Sequence, residues 1–351
     1  MSASVRDRAL EGIVRACYAA GDDFNALRLR LLQALRREVP FDAAFVAAAD
    51  PDSLLFTRVF ADEALVESSS RFLDNEFGAA HDVNRFVDLA HARDPVGSLD
   101  HVAKGERDTS ARWCDIMGPL GMGDELRVAL RVDGTVWGFM CLHRSGVTGF
   151  TAQEMTLVRK VAPHAGEAMR RAAVAGNASA GAADEAVILV ADHVVVAVGG
   201  AVEEIETRDP LAAGGHLPVP LAAVVRRLEA IEAGNDIEAP PAVIRMTTRS
   251  GALVAVHAAR LRDASGNGPV VLTVAPAAPA ERSSLLLAAH GLTPAQRRVA
   301  NLVLQGRTTG QIVIALGISA HSVQDHLKAV FDKVGVRSRR ELVSAMLHPA
   351  H

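Results

Sequence analysis

The chain has 351 residues, of which 49% are apolar and 22% charged, and its formal net charge is −4. This length allows two or three domains with buried cores. The three cysteines, Cys17, Cys114 and Cys141, lack C-x-x-C spacing, which favours a reducing cytoplasm over a disulfide framework or a zinc site. Neither a metal nor a cofactor is predicted. No apolar run reaches about eighteen residues, so a secreted or membrane-spanning protein is not expected.

The first part of the chain predicts helices around an antiparallel sheet. Strand-like runs occur at 44–49 and 54–60, and a hairpin turns at Asp133-Gly134 between strands at 125–131 and 135–143. Helical periodicity predicts helices at 5–19, 24–37, 63–77, 83–91 and 110–117. A longer helix begins at Thr151, where Thr151 and Glu154 form a capping box and Phe150 and Met155 a hydrophobic staple.

This order of elements, over about residues 20–172, resembles a GAF domain. The resemblance implies a sensor domain at residues 1–172. The alanine- and glycine-rich stretch that follows predicts a flexible linker at residues 173–184.

The middle of the chain predicts a second sheet. Two short strands surround a turn at Asp192-His193, and three further runs occur at 242–248, 252–262 and 269–274. Only residues 221–233 offer a convincing helix between them. Five strands with a helix after the second resemble a degenerate PAS domain, which the sequence places at residues 185–278.

The C-terminal sixty residues contain four helix-start signals in a row. Capping boxes begin three helices and a plain cap begins the other: Thr293 with Gln296, Thr308 with Gln311, Ser319, and Ser338 with Glu341. Gly306, Gly317 and Gly335 stand where helices should end. The turn Gly317-Ile318-Ser319 joins the second and third helices, so the pattern predicts a helix-turn-helix.

This segment resembles the DNA-binding domain of LuxR-type transcription regulators. The matching residues are Leu292-Thr293-Pro294, Gly306, Ile312, Leu316-Gly317-Ile318-Ser319, Val323, His326-Leu327, Lys333, Gly335-Val336 and Arg337. From Leu292 onward, eight basic residues stand against three acidic ones, a net of +5, so the first 291 residues carry −9. A basic module on an acidic body suits binding to phosphates. The domain is predicted at residues 286–351.

The resemblance also implies which residues contact DNA. Gln324, Asp325 and Lys328 take the positions that face base edges in the major groove. Further contacts, several of them to phosphates, are expected from Thr308, Thr309, Ser319, His321, Ser322, Arg337 and Arg339. The chain departs from the family pattern with Gln296, Arg298, Gly310, Gln311 and Gln324, which puts the operator sequence in question.

A ligand cavity is expected in the GAF-like region. Both tryptophans and several soft apolar residues fall there, and the predicted lining residues are Trp113, Met117, Met122, Trp137 and Cys141. Ligand cavities are mostly apolar with a few polar groups, for which Asp124, Arg127 and His143 are candidates. The effector would then be small and apolar or aromatic.

The fold predicted is therefore a multidomain α+β arrangement, with GAF-like and then PAS-like antiparallel sheets, followed by an all-α four-helix helix-turn-helix domain. Enzyme motifs are missing: no phosphate-binding loop and no His-Glu-x-x-His occurs. One interpretation is a cytoplasmic, homodimeric regulator that binds specific sequences of double-stranded DNA. In this interpretation the N-terminal region senses a small molecule and controls the geometry of the dimer. The alternative is a constitutive DNA-binding regulator whose body is a protein-interaction or dimerisation scaffold without a ligand.

Overall fold

Strands that are buried on both faces form a five-stranded antiparallel sheet in the first half of the chain. In a computed structural model, which describes residues 3–19, 21, 23–78, 82–175, 184–205, 211–234, 241–262 and 268–347, its strands run in the order β2-β1-β5-β4-β3. They are β1 (Ala43–Ala49), β2 (Phe56–Ala61), β3 (Val96–Ser98), β4 (Met122–Val132) and β5 (Thr135–Ser145). The predicted hairpin is confirmed as β4 and β5, and the short strand β3 was not predicted.

Helices cover both faces of this first sheet. They are α1 (Ala3–Ala19), α2 (Phe24–Arg36), α3 (Glu63–Val66), α4 (Ser69–Phe77), α5 (Phe86–His91), α6 (Leu99–Ala103) and α7 (Ala152–Ala175). Side chains of α1, α2 and α7 pack with Leu126, Val128, Met140 and Leu142 on one face. The opposite face, called here the phenylalanine face, carries Phe45, Phe56 and Phe139, packed against α4 and α5.

Three sequence-based helix predictions in this region need correction. The helix predicted at 63–77 is two helices, α3 and α4, and the one at 83–91 begins only at Phe86. The helix predicted at 110–117 is a π turn at Trp113–Met117, and a separate 3-10 turn at Arg107–Thr109 precedes it. Such tight and wide turns lack the regular i to i+4 pattern, so apolar spacing alone does not distinguish them from an α-helix.

A second antiparallel sheet repeats the strand order of the first. Its strands, in the order β7-β6-β10-β9-β8, are β6 (Ala186–Ala191), β7 (Val194–Gly200), β8 (Val243–Thr247), β9 (Leu253–Arg260) and β10 (Val270–Pro276). The predicted turn joins β6 to β7, with positive φ at both Asp192 and His193. Helix α8 (Val219–Glu232) follows β7, as predicted. The predicted linker begins inside α7, and its residues 176–183 lie outside the described residues.

The C-terminal helices are α10 (Pro294–Leu304), α11 (Thr309–Leu316), α12 (Ala320–Val334) and α13 (Arg339–Leu347), as the sequence predicted. A further helix, α9 (Pro279–Ala289), precedes them and was not predicted. Its side chains divide between two cores. Leu287 packs with the C-terminal helices, whereas Leu285 and Ala288 pack with α7 and the first sheet. Helix α9 therefore joins the C-terminal module to the body.

Candidate DNA-binding surface and effector cavity

Helices α11 and α12 form the helix-turn-helix. Gly317 ends α11 with a φ of 63°, a left-handed conformation that favours glycine, and Ser319 caps α12 by accepting a hydrogen bond from the Ser322 amide. Val323, Leu327 and Val330 are buried and fix the inner side of α12 against the module's core. This packing determines which side chains of α12 face outward.

The predicted base-reading residues lie on the outward side of α12. Gln324, Asp325 and Lys328 are exposed, and His326 is half-buried. His321 is exposed as well, and its Nε2 lies 3.5 Å from Oδ2 of Asp325. The polar side chains thus form one continuous surface on the helix that a helix-turn-helix inserts into the major groove.

Most of the other predicted DNA-contacting residues also have a role within the module. Thr308, Ser319 and Ser322 take part in the helix caps. Arg339 donates to the Arg307 carbonyl and to Oγ1 of Thr309, both at 2.9 Å, so it fixes the start of α11. Arg337 is exposed. It is therefore the better placed of the two predicted arginines for a phosphate.

A cavity lies on the phenylalanine face of the first sheet. It is a partly open pocket, and the space between its walls, open solvent included, is about 530 Å³. Its apolar wall includes Phe45, Val59, Ala61, Leu65, Phe72, Ile116, Met117 and Val219, and its polar wall Ser68, Ser69, Arg112, Glu125, Cys141 and His143. Val219 is the first residue of α8, so the element that follows the second sheet's hairpin also borders this cavity.

The predicted cavity residues do not all meet. Met117 and Cys141 line the cavity, while Trp113 and Met122 pack beside Met117 in an adjoining apolar cluster. The expected position of Trp137 needs correction, because it packs with α1, α2 and α7 on the opposite face. A register shift between Leu130 and Arg131, opposite this part of β5, is the cause. Such a bulge reverses the alternation of side chains, which a simple period of two cannot anticipate.

Buried charges close the polar end of the cavity. Nε of Arg112 donates to Oε2 of Glu125 at 2.7 Å, and Nε of Arg127 lies 3.0 Å from Oε1 of the same carboxylate. Asp82 and Glu76 supply the second partners of Arg112 and Arg127, respectively. Burial alone would raise the pKa of Glu125, but the two guanidinium groups outweigh it and hold that pKa well below its usual range.

Of the three predicted polar anchors, only His143 reaches the cavity. Its Nδ1 is buried and has no hydrogen-bond partner within the described part of the chain, and burial lowers the pKa of the imidazole to about 4. Asp124 instead accepts hydrogen bonds from Ser98 and from the amides of Asp100, Glu125 and Phe150. Arg127 packs over the ring of Phe86, away from the cavity. The sequence signal for Arg112 and Glu125 was only that they are charged residues beside apolar ones.

The carboxylate of Asp52 contacts residues of both the body and the C-terminal module. Asp52, in the loop between β1 and β2, lies 2.6 Å from Nη1 of Arg297 on α10 and 2.8 Å from Nη2 of Arg245 on β8. It also accepts a 2.7 Å hydrogen bond from Ser284 on α9. Burial opposes ionisation, but these three partners outweigh it and lower the pKa of Asp52. Arg245 in turn pairs with the buried Asp50. We call these five residues the junction.

Comparisons with known proteins agree with this geometry. Residues 290–346 match the family described as bacterial regulatory proteins, luxR family, and residues 23–169 match the GAF domain. No curated protein matches the chain. Among solved structures, the crystal structure of the VqsR LBD domain from Pseudomonas aeruginosa is 16% identical and covers 47% of this chain and 94% of that one. Its TM-score of 0.31 is too low to support any conclusion about function.

The match of residues 290–346 to the luxR family identifies a DNA-binding transcription regulator. More particularly, the chain carries a LuxR-family helix-turn-helix domain at its C-terminal end and a GAF domain in its N-terminal part. Within the described residues, no helix is long and apolar enough to cross a membrane.

Proposed function

We propose that the chain is a ligand-responsive regulator in which a small molecule in the GAF cavity controls DNA binding by the C-terminal module. The observation that carries the proposal is the cavity itself: an apolar wall that includes Phe45 and Phe72, closed at one end by polar groups. A cavity of this composition favours a small apolar or aromatic molecule with one or two hydrogen-bonding groups. The polar wall of the cavity supplies the groups that would recognise it.

The cavity borders an element that leads toward the junction. Val219 at the start of α8 lines it, and farther along the same helix Arg226 pairs with Asp74 of α4 at 2.8 Å. Helix α8 packs on β9, which pairs with β8, the strand that carries Arg245. A ligand that displaces Val219 would therefore change packing that continues to the junction.

The junction supplies the link to DNA. Arg297 lies on α10, within the DNA-binding domain, and its contact with Asp52 fixes that domain on the body. We propose a docked state held by the junction and a released state in which two modules of a homodimer adopt the spacing of their half-sites. The predicted contacts of Gln324, Asp325, Lys328 and Arg337 with DNA belong to this released state. The chain is expected to act in the cytoplasm.

The experiment compares a larger side chain inside the cavity with the same larger side chain on the exposed surface. Ala61→Leu adds bulk to a residue that lines the cavity, and Ala64→Leu adds the same bulk to an exposed residue outside it. A broad metabolite screen by thermal shift should find compounds that stabilise the wild type and Ala64→Leu, but not Ala61→Leu. Those compounds should also change the affinity for operator DNA. Equal stabilisation of all three proteins would place the binding site outside this cavity and so contradict the proposal. A screen without any stabilising compound would favour the constitutive scaffold.

A further inference from the structure

Three potential metal ligands meet at the polar end of the cavity. Glu125 on β4 stands directly opposite His143 on β5, and Cys141 lies two residues away on the same face. One donor atom from each lies within 4.8 Å of the others, and Sγ of Cys141 is 3.0 Å from Oε1 of Glu125. All three side chains are buried. The sequence could not reveal this group, because one of its members lies on a different strand from the other two.

The imidazole gives an independent reason to expect a ligand here. His143, which lines the cavity, is only 6% exposed, and its Nδ1 has no hydrogen-bond partner among the residues that the structure describes. A buried polar atom without a partner is unfavourable, so most such atoms are satisfied by a water molecule or a ligand. A metal ion between the three donors would use this nitrogen.

The charge balance around these donors favours a divalent cation. Three carboxylates, those of Glu76, Asp82 and Glu125, surround two guanidinium groups, those of Arg112 and Arg127. With a neutral thiol and imidazole this buried group carries a net charge of −1. A divalent ion that displaces the thiol proton of Cys141 adds one net positive charge, which brings the group to neutrality. Because uncompensated charge is costly in a buried site, neutrality stabilises the bound state.

We propose that Glu125, Cys141 and His143 bind one divalent transition-metal ion, such as Zn²⁺, with its fourth coordination position facing the cavity. One thiolate, one imidazole and one carboxylate suit a borderline-soft ion rather than Mg²⁺ or Ca²⁺. Three protein ligands and an open position are typical of zinc sites that bind water or a small molecule. On binding, the S–H proton leaves to solvent and a metal–sulfur bond replaces the hydrogen bond to Oε1. This site does not depend on an organic effector.

The test uses Co²⁺ as a probe, because a cobalt–thiolate bond gives a charge-transfer band in the near ultraviolet. The full-length, chelator-treated and reduced protein should retain one Co²⁺ per chain after desalting and show this band. Cys141→Ser should abolish the band, while Cys17→Ser and Cys114→Ser, which change the other two thiols, should keep it. His143→Gln should weaken cobalt binding at least about tenfold, since a ligand is lost.

A second measurement covers the case in which a variant does not fold. X-ray absorption of the zinc-loaded wild type should show one sulfur at about 2.3 Å among its nitrogen and oxygen neighbours. The proposal is overturned if the wild type retains no metal, if its zinc has no sulfur neighbour, or if the cobalt band survives in a folded Cys141→Ser protein. Metal binding without any organic effector would leave the proposed sensing of small molecules to be tested separately by the cavity variants.

Discussion

Replacing Asp52 with asparagine should loosen the C-terminal module from the body. The substitution keeps the size of the side chain and one acceptor oxygen, but it removes the charge that faces Arg245 and Arg297. Arg245 retains its pair with Asp50, so the body itself should stay folded. Asp108→Asn is the matched control, because Asp108 is an exposed body residue for which the structure describes no ion pair.

The size of the effect follows from the three partners of Asp52. Hydrogen bonds to charged groups contribute about 1.5–3 kcal/mol when buried. The side chain of Asp52 is 39% exposed, so solvent screening reduces each of its two ion pairs to about 1 kcal/mol. Only the pair with Arg297 crosses from the body to the module, because Arg245 lies on β8 in the body. Its loss therefore costs about 1 kcal/mol, which corresponds to about a 5-fold shift from the docked toward the released state.

Hydrogen exchange measures this shift directly. Some amides of α9 and α10 exchange only when the module is released, and these should exchange about 5-fold faster in Asp52→Asn than in the wild type. Core amides of β4 and β5 should stay unchanged. Affinity for operator DNA without effector should rise in the same variant. If α9 and α10 exchange at wild-type rates, or if Asp108→Asn accelerates them equally, the junction does not hold the module.

Four further outcomes are expected. Lys328→Ala should weaken binding to the operator more than binding to random DNA. Arg337→Ala should weaken both, and it should reduce the slope of log affinity against log salt concentration by about one. Gel-shift titrations at several salt concentrations separate the two effects. Gly317→Ala should destabilise the module by about 1 kcal/mol or more, because Gly317 has a positive φ. Gly310→Ala is the control and should not destabilise it, since a Cβ added there meets nothing within 4 Å. Chemical denaturation measures both effects. The pKa of Glu154 is lowered in the folded protein because its hydrogen bonds outweigh the effect of burial. The ionised carboxylate therefore stabilises the fold above the unfolded-state pKa of about 4.3, and this stabilisation is lost as the pH falls through the folded-state pKa. Glu154→Gln should therefore flatten the acid limb of the melting-temperature profile, and an unchanged limb would contradict the assignment.

The sequence predicted the helices of the C-terminal module well because the signals that begin and end each helix lie close to it in the sequence. Each helix begins with its own cap and several end at a glycine, so the residues that start and stop a helix are neighbours in the sequence. The hairpin turns at Asp133-Gly134 and Asp192-His193 were predictable for the same reason.

The cavity and the junction were not predictable because their residues come from distant segments. Arg112 meets Glu125 across the sheet's phenylalanine face, and Asp52 meets Arg297 over 245 positions of sequence. Nothing in the residues around Asp52 distinguishes it from an ordinary loop carboxylate. Helix α9 was missed because its apolar residues serve two cores and therefore lack a single stripe.

The bulge in β5 also gives the protein two optical reporters on opposite sides of one sheet. Trp113 packs beside Met117, which lines the cavity, while Trp137 is buried among the helices on the far side. Fluorescence of the intact protein therefore mixes two environments. Trp137→Phe would leave a chain whose only indole reports on the cavity, and Trp113→Phe a chain whose only indole reports on packing against α7. Comparing the two would show whether an event in the cavity reaches the helical face.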